Sequence, residues 1–130
     1  MAVQRSSSVT RMNPVTGLAL GRIAIGATAL ASPSLASKLF RLDLARNPQL
    51  PYLSRMFGSR EIALGAITLL AAGSARRKLV ALGMAVDGAD AFAGYDAMRT
   101  GSVSRSVGLG LTVPAVGAVV AGAVGLVTER

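Results

Sequence analysis

Asp87 and Asp90 stand three residues apart inside an otherwise apolar run, Leu79 to Met98. On a helix that spacing puts both carboxylates on one face. A lone charge in hydrocarbon costs ~2.5–3.5 kcal/mol even on the lenient insertion scale, so acids in such a run must be paired, protonated or wetted. Three further charged residues lie deep within apolar runs, away from their ends: Arg22, Arg60 and Glu61. A cluster of this kind suits one of two chemistries. It latches helices by mutual neutralisation, or it handles a proton, a cation or a small polar ligand.

Depth sorts the five residues into pairs. With Asn13, Gly73 and Lys78 set near one membrane face, and a rise of about 1.5 Å per helical residue, Arg22 and Asp87 both come out ~13–14 Å deep. Arg60 and Asp90 come out at ~18–20 Å by the same rise. The expected pairs are therefore Arg22 with Asp87 and Arg60 with Asp90, leaving Glu61 over. Asp96 falls near the far end of its run, at the interface.

The elements that must carry these residues are apolar helices. Of 130 residues, 52% are hydrophobic and 15% charged, with a mean hydropathy of +0.53. A soluble domain usually carries ~25% charged residues, so the deficit points to lipid around much of the surface. Four runs are long enough to approach the ~20 residues of a membrane-crossing helix: Val15 to Leu30, Leu53 to Ala72, Leu79 to Met98, and Val107 to Val127. Asn13-Pro14 supplies an N-cap and a proline at the first helical position. Gly73 to Lys78 is expected to form a tight, basic hairpin. The runs are too long, and alternate too little, for β-barrel strands. The fold expected is all-α, a four-helix transmembrane bundle spanning residues 13–130, preceded by a basic, Ser-rich tail over 1–12.

The connection Ser32 to Tyr52 is long. Leu35, Leu39 and Leu42 recur at helical spacing, with Lys38, Arg41 and Arg46 elsewhere around the wheel. The pattern suits a short helix lying on the membrane surface, closed by Asn47-Pro48 and Pro51; a solvated loop is the competing reading. A secretory signal peptide is the competing reading of the first run, opposed by Arg22 in its middle.

Helix packing is expected at small residues, because lipid tails are as apolar as leucine and helices associate through close backbone contact. The candidates are Gly17 and Gly21 in the first run, Gly65 in the second within a stripe of Glu61, Gly65, Thr68 and Ala72, and Gly117, Ala121 and Gly125 in the fourth.

Composition also excludes. The sequence holds no Cys, His or Trp, which removes disulfides, thiolate nucleophiles, Cys/His zinc sites, imidazole acid–base chemistry and His-ligated haem. No Gly-rich phosphate loop or nucleophile elbow is present. An enzyme is the least supported class, and no cofactor or metal is expected. The formal charge of +8 gathers in the connections, as beside anionic headgroups, and the aromatics that nucleic-acid stacking wants are scarce. Expected partners are the bilayer and either a larger membrane complex or a second copy, not nucleic acid.

The stretch Phe57-Gly58-Ser59-Arg60-Glu61-Ile62-Ala63-Leu64-Gly65, the basic Arg76-Arg77-Lys78 and then Asp87-Gly88-Ala89-Asp90 resemble a family of small bacterial four-helix membrane proteins, domains of unknown function similar in plan to the DoxX-like group. The resemblance covers the last three runs and, more loosely, the first. It implies a four-helix bundle, supplies no reaction, and picks out Arg60, Glu61 and Asp90 as the matching positions. Two functional classes follow: a structural or accessory membrane subunit whose buried charges form a latch, or a minimal transporter or proton-handling protein that uses the carboxylates. The compact Arg76-Arg77-Lys78 cluster places both termini in the cytoplasm by the positive-inside rule, in a plasma-membrane protein.

Overall fold

Asn13 opens the first helix, its side chain accepting a hydrogen bond from the Val15 N–H at 2.9 Å while Pro14 occupies the first turn. In the computed structural model, which describes residues 13–128, α1 spans Pro14–Ala31, α2 Pro33–Leu39, α3 Leu50–Leu70, α4 Gly73–Arg99 and α5 Arg105–Thr128. No strand occurs among the described residues. The expected tail, 1–12, lies outside them. Two of the helices, α1 and α5, are long and apolar enough to cross a membrane.

Several boundaries differ from the expected ones. The six residues Gly73 to Lys78 do not form a loop. Only Ala71 and Ala72 connect α3 to α4; both are extended, and Gly73 follows at φ +60°. Left-handed backbone at a glycine costs no Cβ clash, so the reversal is complete by Gly73, and Ala75, Arg76, Arg77 and Lys78, all good helix formers, continue straight into α4. Pro51 lies in the first turn of α3 rather than ending the preceding segment. Ala72 falls outside α3 and is exposed, so it drops out of the expected stripe.

The short helix α2 ends earlier than the leucine spacing implied. Leu42 N–H bonds to the Ser37 carbonyl at 2.8 Å and Arg41 N–H to Lys38 at 3.1 Å. That paired closure is a Schellman motif, here with Arg41 at φ 57° where glycine is usual. Leu42 therefore lies beyond the helix, while Leu35 and Leu39 point outward from α2 and Pro33, Ala36 and Ser37 are buried.

The four long helices form two closely packed antiparallel pairs, α1 with α3 and α4 with α5. The buried face of α1 is Val15, Ala19, Arg22, Gly26 and Ala29, and that of α3 is Gly58, Glu61, Gly65 and Thr68. Backbones nearly touch: a Cβ on Gly58 would lie 2.5 Å from the Gly26 carbonyl oxygen, and one on Gly65 2.6 Å from that of Ala19. In the second pair, Gly94 meets Thr112, Gly108 meets Met98 and Gly122 meets Met84, in a constant antiparallel register. Pro114 lies within α5 and removes one N–H from its ladder.

The pairs meet at one end where Gly125 packs on Val15. There Arg76 donates to Thr16 Oγ1 at 3.2 Å and Arg77 to the Leu126 carbonyl at 2.9 Å. The start of α1, the α3–α4 turn and the end of α5 thus share one end of the bundle.

Of the expected packing glycines, Gly65 and Gly125 occupy helix contacts. Gly21 and Gly117 do not: both are exposed, and a Cβ on either would meet nothing within 4 Å. Ala121 is half-buried beside Gly122, which makes the contact instead. Gly17 borders the cleft described below.

Candidate buried ion-pair site

Arg22 is buried on α1 because it lies on the same face as Ala19, Gly26 and Ala29, the face that packs on α3. Its guanidinium turns towards α4. Nη1 donates to Glu61 Oε2 at 2.9 Å and to Asp87 Oδ1 at 3.0 Å, while Nη2 donates to Asp87 Oδ2. Two edges of one planar fork thus serve carboxylates from two helices.

Arg60 continues the arrangement. It donates from Nη1 to Asp90 Oδ1 at 3.2 Å and from Nη2 to Asp90 Oδ2 at 2.6 Å, and Nη2 also reaches Glu61 Oε1 at 3.3 Å. Glu61 bridges the two arginines, giving a continuous run Asp87–Arg22–Glu61–Arg60–Asp90 across α1, α3 and α4. The structure brings all five expected residues together, with Arg22 facing Asp87 and Arg60 facing Asp90. Glu61, left over in the depth count, is the link.

Burial grades along the run. The side chains of Arg22, Glu61 and Asp87 are at most 8% exposed, whereas Arg60 and Asp90 are 38% and 33% exposed. Asp96 pairs with Arg99 at 2.7 Å on the exposed end of α4, outside the network.

Two supporting residues escaped the sequence reading. Gly83 lies one turn before Asp87 on α4, and a Cβ there would come within 2.9 Å of Arg22 Nη2. Its missing side chain is the space the guanidinium occupies. Phe57, one turn before Arg60, carries the Arg60 guanidinium 5.1 Å from its ring centroid and meets Phe40 edge-on at 6.4 Å. Both could have been found by looking one helical turn from a buried charge for a residue that makes room or supplies a face.

Oxygens of Glu61, Asp87 and Asp90 lie within 4.8 Å of one another, a spacing open to a cation. Both arginines already occupy that space, so the chemistry the arrangement supports directly is mutual neutralisation. The network also walls a cleft of about 600 Å³ between the two helix pairs. No family model, curated protein or solved structure matches the sequence.

Proposed function

We propose that this is a small multi-pass membrane protein in which α1, α3, α4 and α5 all cross the bilayer and the ion-pair network latches the α1/α3 pair to α4. The observation that carries the reading is the bridged network itself. α3 and α4 fall short of α1 and α5 in apolarity because of charges within them, and the most deeply placed of those, Arg60, Glu61, Asp87 and Asp90, are paired with one another or with Arg22. Inserted together, five side chains that would each be costly alone pair with one another, leaving one negative charge in excess. Length agrees: the 21 residues of α3 and 27 of α4 extend about 32 and 40 Å at the helical rise, against a hydrocarbon core of ~30 Å.

The role that fits best is structural or accessory, as a subunit of a larger membrane complex or of a homo-oligomer. In support, α5 presents Val113, Val116, Val120, Val124 and Val127 outward beside the open glycines Gly110 and Gly117, an apolar small-residue surface suited to close helix approach in lipid. The resemblance noted in the second and third runs agrees with four spans. Mild detergent extraction followed by affinity purification tests the role. A stoichiometric partner or a second copy is expected; a monodisperse lone protein, with no cross-linked dimer when Cys is introduced at Gly117, overturns it.

A further inference from the structure

The cleft between the helix pairs, at about 600 Å³, falls in the range of ~300–1,000 Å³ usual for small-molecule sites, and has their make-up of apolar walls with a few convergent polar groups. Leu18 and Ile25 of α1, Leu53 and Phe57 of α3, and Leu111 and Pro114 of α5 form its apolar walls, and the five charged residues, with Ser37 and Ser54, form its polar part. The walls call for an apolar body. The sign of the polar part decides what that body carries.

Three carboxylates meet two guanidiniums, so the ionised network bears one excess negative charge. In surroundings of low dielectric that excess attracts a cation far more strongly than it would in water, and repels an anion. Asp90 is the carboxylate that is a third exposed, while Glu61 and Asp87 are closed off by Arg22. On the cationic side Arg22 is buried, and Arg60, 38% exposed, holds both Asp90 oxygens, so a second cation would share Asp90 with Arg60.

We infer that the cleft binds a lipophilic monocation, a bulky apolar molecule with a single ammonium- or phosphonium-type charge seated against Asp90. The inference stands on the cleft and the network, and does not depend on how many helices span the bilayer or on an accessory role.

Tetraphenylphosphonium and tetraphenylborate have nearly the same shape and opposite charge, so together they separate charge recognition from apolar partitioning. Equilibrium dialysis of the full-length protein in a neutral maltoside detergent, against protein-free micelles, should show saturable binding of one phosphonium per protein. The borate should bind weaker by about tenfold or more, a factor that corresponds to ~1.4 kcal/mol. Asp90→Asn should weaken phosphonium binding by a similar factor. Should Asp90→Asn fail to give a monodisperse protein, Gly21→Leu carries the test: Gly21 borders the cleft and a Cβ there meets nothing within 4 Å, so leucine has room at its first carbon, narrows the cleft and should weaken binding about tenfold. No saturable phosphonium binding, equal or tighter binding of the borate, or wild-type affinity in a folded Asp90→Asn or Gly21→Leu protein overturns the inference. So does a bound lipid chain that both ions displace equally.

Discussion

At the scale of single residues the network is graded, and its members should respond differently to removal. Asp87 is almost fully buried against Arg22, so Asp87→Ala leaves a guanidinium short of a partner in a dry site, at a cost of ~3–5 kcal/mol. Asp90 and Arg60 are each about a third exposed, where solvent or the cleft screens the stranded charge. Asp90→Ala should therefore cost clearly less than Asp87→Ala when both are unfolded reversibly in mixed micelles. Equal costs would mean the gradation in burial has no energetic weight. If the network is a latch, Arg22→Met combined with Asp87→Leu should be milder than the sum of the single changes, since the double change leaves unpaired only the Glu61 oxygen that Arg22 held. The pairing was legible only in part, because the depth count set Gly73 and Lys78 at one level, whereas α4 begins at Gly73 and puts Asp90 about 26 Å from the turn against about 20 Å for Arg60. The bridge through Glu61 was not legible. Counting two arginines against three acids treats each cation as having one partner, whereas a guanidinium offers two edges, and Arg22 and Arg60 each use theirs on two carboxylates.

Among the helices, glycine has opposite roles at neighbouring positions. Gly58→Ala or Gly65→Ala would drive a methyl group to within 2.5–2.6 Å of a backbone carbonyl of α1, which can yield only if the helices part. A loss of ~1–3 kcal/mol is expected for such overpacking. Gly21→Ala and Gly117→Ala meet open space and should raise stability, by up to ~1 kcal/mol, from helix propensity alone. Thermal unfolding of the four variants side by side measures the contrast, and a loss at Gly21 as large as that at Gly58 would contradict the packing described. The sequence pattern misassigned the face of α1 because Gly17 and Gly21 form a small-residue pair as good as any. The better signal lay in the charges. Arg22 has to be buried, so its face is the packed one, and the glycine one turn from it is Gly26. The same rule finds Gly65 from Glu61, Gly83 from Asp87 and Gly94 from Asp90, all of them close contacts. Gly21, adjacent to Arg22, points about 100° away. Helix ends were less legible, since Arg76, Arg77 and Lys78 read as a loop by charge although they are good helix formers, and Arg41 closes α2 in a backbone conformation that its residue type gives no reason to expect.

For the molecule as a whole, the decisive question is whether α3 and α4, the two helices interrupted by charge, cross the membrane. The described fold places the start of α1, the α3–α4 turn and the end of α5 at one end, so two crossings by α3 and α4 would put α2 and the α4–α5 connection together on the opposite side. The sequence lacks cysteine, and a single introduced thiol reports its own side of the membrane without background. Ser34 in α2, Ser74 at the start of α4 and Ser102 after α4 are all exposed, and they flank the two helices in question. With both termini in the cytoplasm, Ser34→Cys and Ser102→Cys should react with a membrane-impermeant maleimide in intact cells, and Ser74→Cys only after permeabilisation. The reverse pattern keeps four spans but turns the protein over, against the pull of Arg76, Arg77 and Lys78 towards the cytoplasmic face. Labelling of all three from one side would mean that neither α3 nor α4 crosses, and the ion-pair network would then be the core of a soluble or surface-bound helical domain anchored by α1 and α5 alone.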